Sequence, residues 1–152
     1  MKLTRHFTSD EFIVSQTAAR LGIDNSPTPE VIANLQLVAL VLEKVREYFG
    51  KPVLVSSGYR SPALNAAVPG SSKTSAHSKG LAADFTVQGV SNHDVCKWIA
   101  ENIKELDIDQ VIYEFGVTGW VHIGLAATPR YQMLSAIRGD GGKTVYVEGF
   151  RA

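Results

Sequence analysis

The segment between Thr28 and Gly50 constrains the fold most, because it carries the pattern of one long amphipathic helix. Thr28 suits the N-cap, Pro29 suits the first turn, and Gly50, followed closely by Pro52, ends the pattern. Apolar residues recur at spacings of three and four, at Val31, Leu35, Val38, Leu42, Val45 and Phe49. Such a stripe predicts a helix that packs one face against the core of its own domain.

Short apolar segments with strand character dominate the second half of the chain. We predict strands within 52–57, 81–87, 109–115 and 120–125, and a final hairpin within 132–150. Helices that come early and strands that come late favour an α+β fold. We therefore expect residues 1–152 to form one small domain, with a central antiparallel sheet and helices packed on one side of it.

Composition excludes several classes of partner. Fifteen Lys and Arg residues balance fifteen Asp and Glu residues, so no basic surface indicates a nucleic acid or a membrane as a partner.

Cys96 is the single cysteine, which excludes an internal disulfide. Lys2 and Arg5 precede no apolar segment of the signal-peptide type, so we expect synthesis in the cytoplasm without a signal peptide.

Three residues form a candidate metal-ligand set: His77, Asp84 and His122. Asp84 begins an apolar strand, where an unpaired carboxylate is costly to bury and a divalent cation would neutralise it. Two imidazoles and one carboxylate suit Zn²⁺, and three protein ligands leave a fourth position for water. The pattern predicts one catalytic zinc ion per chain.

Glu114 is the candidate general base. If residues 115–119 close a hairpin, Glu114 lies opposite Trp120 and Ile112 lies opposite His122. Glu114 and His122 then share one face of the sheet, and a carboxylate beside a metal site can take a proton from water. A solvent-facing strand residue is the alternative interpretation of Glu114.

The segment before the metal motif is rich in small residues and contains Arg60 and Ser75. Arg60 is the candidate partner of a substrate carbonyl or carboxylate, because its planar guanidinium makes paired hydrogen bonds. A surface salt bridge is the alternative for Arg60, and a loop cap is the alternative for Ser75. We expect the small residues Gly70, Gly80, Ala82 and Ala83 to leave room for a bound peptide.

Three motifs carry a family resemblance: SSGYRSPALNAAV, SAHSKGLAADF and WVHIGL. Together they resemble the D-Ala-D-Ala carboxypeptidase family of zinc peptidases, whose relatives include phage endolysins that cut between L-alanine and D-glutamate. The resemblance implies that His77, Asp84 and His122 bind zinc, and that Arg60 stabilises the substrate carbonyl. It also implies substrate contacts, for which Ser75, Tyr59 and Trp120 are the candidates.

One position departs from the family pattern. Many members place the catalytic glutamate only a few residues before the last histidine, whereas here Glu114 is the nearest acidic residue before His122. Only the predicted hairpin makes Glu114 suitable, and a register shift of one residue would turn it to the other face.

The resemblance implies a zinc peptidase that hydrolyses peptidoglycan stem peptides or cross-links. We expect a monomeric phage or prophage lysin that reaches the cell wall after holin-type release or as part of a virion. A zinc-containing wall-binding or virion module without catalytic activity is the alternative. Carboxypeptidase and endopeptidase activity both remain open.

Overall fold

The computed structural model describes residues 1–68 and 75–151. The described residues form five helices and six strands, in this order: α1 (Ser9–Ile13), α2 (Gln16–Leu21), α3 (Pro29–Phe49), β1 (Val53–Ser57), α4 (Pro62–Ala67), β2 (Ala82–Val87), α5 (Asn92–Glu101), β3 (Gln110–Glu114), β4 (Trp120–Gly124), β5 (Gln132–Arg138) and β6 (Thr144–Glu148). Short 3₁₀ turns span Ala76–Lys79, Gly116–Thr118 and Asp140–Gly142. No helix in the described ranges is long and apolar enough to cross a membrane.

The predicted long helix is α3, and its boundaries follow from its caps. The Thr28 hydroxyl accepts a hydrogen bond from the backbone N–H of Val31, and Gly50 ends the helix in the left-handed conformation with φ of +64°. The predicted stripe is confirmed, because its first five members are buried and Phe49 packs against the same core. The helix therefore supplies one wall of the hydrophobic core.

The α+β class is confirmed, with one difference in the sheet. The strand order is β1-β2-β4-β3-β5-β6, and every neighbouring pair is antiparallel except β3 and β5. Strand β4 ends beside the start of β3, because Gly124 pairs with Gln110. The link 125–131 therefore leads into β5 at that same end of the sheet, which makes β5 parallel to β3 and the sheet mixed.

Alternation along the strands gives the sheet two different faces. One set of side chains joins α3 and α5 in the core: Ala83, Phe85, Val87, Val111, Tyr113, Val121 and Ile123. The intervening residues of β2, β3 and β4 point to the opposite face, which carries Asp84, Glu114 and His122. The helices thus cover the core face, and the candidate site lies on the other face.

Gly80 and Ala83, two of the small residues around the start of β2, pack against the helical layer and leave no space for substrate there. Gly80 has φ of +73°, and a Cβ there would lie 2.9 Å from the Val31 side chain of α3. Ala83 is fully buried in the core. The expectation that these residues leave room for a peptide is therefore wrong for Gly80 and Ala83, because both pack against the helical layer. Gly70 lies outside the described residues.

Candidate metal centre

Sheet pairing brings two of the predicted metal ligands together. Asp84 on β2 lies directly opposite His122 on β4, and Asp84 Oδ1 is 2.8 Å from His122 Nδ1. His77 approaches from the 3₁₀ turn before β2, with its Nε2 3.5 Å from Asp84 Oδ1. Ligand atoms of all three residues lie within 4.8 Å of one another. A cluster of this kind can hold a metal ion.

The orientation of His77 is set by two backbone contacts. The Ser75 hydroxyl caps the turn by accepting a hydrogen bond from the His77 backbone N–H at 3.2 Å. The His77 ring, which is 4% exposed, has its Nδ1 2.6 Å from the carbonyl oxygen of Gly58. A carbonyl can only accept, so Nδ1 carries the proton and donates it. With Nδ1 held by this carbonyl, Nε2 is the ring nitrogen that faces Asp84 and is in position to bind a metal.

The charge of Asp84 is stabilised by its two histidine neighbours. Burial raises the pKa of Asp84, but the hydrogen bonds to His122 and His77 outweigh burial and hold that pKa well below its usual range. The carboxylate is therefore ionised at neutral pH and available as a ligand.

The ligand spacing is compatible with one shared metal ion. Asp84 Oδ1 lies 2.8 Å from His122 Nδ1 and 3.5 Å from His77 Nε2. Two imidazoles and one carboxylate are a ligand set that suits Zn²⁺.

Glu114 lies on the same face as the cluster. The predicted hairpin register is confirmed, since Glu114 pairs with Trp120 and Ile112 pairs with His122. Glu114 is 9% exposed, and its carboxylate makes no hydrogen bond to any of the described residues. Burial raises its pKa to about 7, with His122 lowering it and Asp84 raising it. A carboxyl group in this state can both accept and release a proton near neutral pH.

Arg60 lies near Asp84 of the cluster but forms no salt bridge with any of the described residues. Its guanidinium makes one long hydrogen bond, 3.5 Å to the Ser75 hydroxyl, and its buried Nε has no partner in the described chain. Burial lowers the pKa of Arg60, and nearby Asp84 raises it. A half-buried guanidinium with free donors is suited to bind an oxygen that carries negative charge.

Trp120 and Tyr59, the other two predicted substrate contacts, lie in different surroundings. Trp120 is half-buried on the site face, and its buried indole N–H has no acceptor in the described chain. Tyr59 is 6% exposed within the hydrophobic core. This buried position favours a packing role for the Tyr59 ring over the predicted substrate contact.

Two positions that the sequence did not single out shape the site. Gly58 supplies the carbonyl that orients His77, and a Cβ at Gly58 would lie 2.7 Å from both the Cβ and the carbonyl oxygen of Phe12. Only glycine fits this approach of β1 to α1. The glycine of the SGYRS motif was the available signal, although it did not reveal which carbonyl mattered.

Asn25 holds the loop that carries Arg60. Its Nδ2 donates to the carbonyl oxygens of Ile13 and Tyr59, at 2.7 and 3.0 Å, and its Oδ1 accepts from the Ser61 N–H at 2.7 Å. These three bonds fix the backbone on both sides of Arg60. No local pattern in the sequence indicated this role, because all three partners are distant along the chain.

The fold and the cluster define a class of small α+β proteins in which two histidines and one carboxylate at a sheet face can hold a metal ion. The family model described as Peptidase M15 matches residues 5–124. The chain belongs to this family of metallopeptidases. No curated protein matches the chain.

Proposed function

We propose that this protein is a zinc-dependent peptidase that hydrolyses peptide bonds in bacterial peptidoglycan. One observation carries the proposal: the buried Glu114 carboxylate, which makes no hydrogen bond within residues 1–68 and 75–151, lies on the same sheet face as the cluster of His77, Asp84 and His122. Structural zinc sites use four protein ligands, whereas three ligands and a nearby base are the arrangement of hydrolytic sites. Bound zinc would supply Lewis acidity and a water molecule of lowered pKa.

Glu114 moves the proton in this proposal. Its ionised carboxylate takes a proton from the attacking water while the water oxygen bonds to the scissile carbonyl carbon. The protonated Glu114 then gives that proton to the leaving nitrogen as the C–N bond breaks. Glu114 therefore changes protonation state twice in each turnover.

Arg60 stabilises the carbonyl oxygen as negative charge develops on it. Its free guanidinium donors are already held near Asp84 by the loop that Asn25 fixes, so little reorganisation is needed. Removing one such donor typically lowers kcat by 10²- to 10³-fold. Ser75 lies next to the guanidinium and is our proposed further substrate contact.

The substrate, the setting and the assembly state follow from the family resemblance of the sequence motifs. We propose peptidoglycan stem peptides or cross-links as the substrate, and a monomeric phage or prophage lysin as the biological form. Neither nucleic acid nor membrane is a proposed partner, because the net charge is zero.

The test is release of new amino groups from purified peptidoglycan, with mass spectrometry of the products. Zinc-loaded wild-type protein should release amines, whereas chelated protein and His122→Ala should not. Glu114→Gln should retain zinc and lose at least about 10²-fold in rate. Glu148→Gln, an exposed glutamate on the same sheet, is the matched control and should keep full activity.

Two outcomes would contradict the proposal. Full activity of Glu114→Gln would remove Glu114 as the base. One bound zinc per chain with no release from walls of several chemotypes would favour a zinc-containing binding module without catalytic activity.

A further inference from the structure

The C-terminal hairpin formed by β5 and β6 lies beyond the residues 5–124 that the family model matches. It nevertheless extends the site face of the sheet. Glu114 on β3 pairs with Ala136 on β5, and Ala136 pairs with Tyr146 on β6. Arg138 is two residues beyond Ala136, so it points to the same face.

Arg138 borders an open cleft beside the sheet face that carries Glu114 and His122. The cleft has a volume of about 590 Å³ and is lined by Phe115, Thr118, Gly119, Trp120, Ile137 and Arg138. Trp120 precedes the metal ligand His122 by two residues on β4, so these two side chains lie on the same face of the sheet.

Aromatic contacts hold the guanidinium in place. Its central carbon lies 4.7 Å from the centre of the Phe115 ring, and that ring packs edge-on against Trp120 at 5.6 Å. Phe115 itself has φ of +57°, a costly conformation for a bulky residue, and its N–H donates to the Ala136 carbonyl. The turn therefore fixes Phe115 beneath Arg138.

Arg138 has no carboxylate partner within residues 1–68 and 75–151. A guanidinium stacked on a ring keeps the N–H groups along its edge free, and these match the two oxygens of a carboxylate. An arginine that is held in place, exposed and unpaired beside a reaction site is suited to recognise an acidic group on the substrate.

We infer that Arg138 binds a carboxylate of the substrate peptide at a position remote from the scissile bond. This inference rests on the proposed function for the identity of the reaction. His122 pairs with Ile112, Ile112 pairs with Leu134, and Arg138 is four residues beyond Leu134. A strand spacing of about 4.8 Å and a rise of about 3.4 Å per residue therefore place the Cα atoms of His122 and Arg138 about 17 Å apart, which an extended peptide covers in about five residues. Arg138 thus selects acidic peptides rather than taking part in bond cleavage.

The experiment uses synthetic stem peptides in which one carboxylate at a time is replaced by a carboxamide. Wild-type, zinc-loaded protein should prefer one carboxylate peptide over its amide by about tenfold in kcat/KM, mainly through KM, because contacts far from the reacting atoms act on binding. Arg138→Gln should bring this ratio to about one, and Arg138→Lys should retain part of it.

Lys143→Gln is the matched control, since it removes an exposed positive charge from the same hairpin outside the cleft lining. It should keep the wild-type ratio. The inference would be overturned if Arg138→Gln kept the tenfold preference in kcat/KM for the acid peptide. It would also be overturned if Arg138→Gln lowered kcat/KM equally for the acid and the amide peptides.

Binding measured by calorimetry separates this inference from the proposed hydrolysis. If zinc-loaded protein cleaves none of the peptides but binds the acid about tenfold more tightly than the amide, and Arg138→Gln abolishes that preference, the subsite stands and the hydrolysis fails. If cleavage occurs with no preference for any carboxylate, the hydrolysis stands and the subsite is wrong.

Discussion

Glu114 makes the metal-free protein less stable above pH 7 than below pH 4.5, because the fold buries a carboxyl group that ionises as the pH rises. Its pKa rises from 4.5 to about 7 on folding, chiefly through burial. The protonated group is compatible with the folded state, so no penalty exists below pH 4.5. As pH rises from 4.5 to 7, the unfolded chain ionises first, and stability is lost over this window.

The magnitude follows from the size of the shift. Each pKa unit corresponds to about 1.36 kcal/mol, so full ionisation of Glu114 lowers the free energy of unfolding by about 3 kcal/mol. Glu114→Gln cannot ionise and escapes this loss. The stability of the variant relative to wild type should therefore increase by about 2 to 3 kcal/mol between pH 5 and pH 8.5.

Urea unfolding of chelated protein at the two pH values measures this difference. Comparing two pH values removes any constant effect of the glutamine amide on packing. Glu148→Gln is the control, because Glu148 is exposed on the same sheet and its charge meets water in both states. Equal pH dependence of wild type and Glu114→Gln would refute the argument that burial sets the ionisation of this group.

Three further changes test the fold and the metal centre. Phe85→Ala removes a fully buried ring and should lower the free energy of unfolding, measured by urea denaturation, by about 3–5 kcal/mol. A loss under about 1 kcal/mol would contradict the place of Phe85 in the core. Gly58→Ala forces the chain away from Phe12 and displaces the carbonyl that orients His77. Zinc affinity, measured by competition with a chelator, should therefore fall about 10- to 100-fold. Unchanged zinc affinity would show that the contact between Gly58 and His77 is dispensable. Thr28→Ala removes the α3 cap and should lower the free energy of unfolding, measured by urea denaturation, by about 1 kcal/mol. Thr28→Ser keeps a hydroxyl and should retain most of this stability. Equal losses in the two variants would exclude the hydroxyl as the cause.

Local periodicity explains which parts of the fold were predictable. The stripe of α3 depends on a repeat of 3.6 residues within one segment, and its caps are single residues at the two ends. The register of β3 and β4 depends on a turn of a few residues, after which a period of two places Glu114 and His122 on one face. Such features are decided by neighbours in the chain.

Long-range packing decided the features that the sequence left open. The parallel pairing of β3 and β5 depends on where the chain crosses the sheet after β4. The Gly58 carbonyl meets His77 only because β1 pairs with β2 and α1 packs closely against β1. These contacts join residues far apart in the chain, so no local pattern encodes them.

The sequence by itself determined the class of fold, the metal-ligand types and the side of the hairpin on which Glu114 lies. Only the tertiary structure decided that, among the described residues, Arg60 forms no salt bridge, the buried Glu114 carboxylate makes no hydrogen bond, and Arg138 borders the cleft. The physical reason is that residue types fix what chemistry is available, whereas burial and unmet hydrogen bonds arise only when distant segments enclose a side chain.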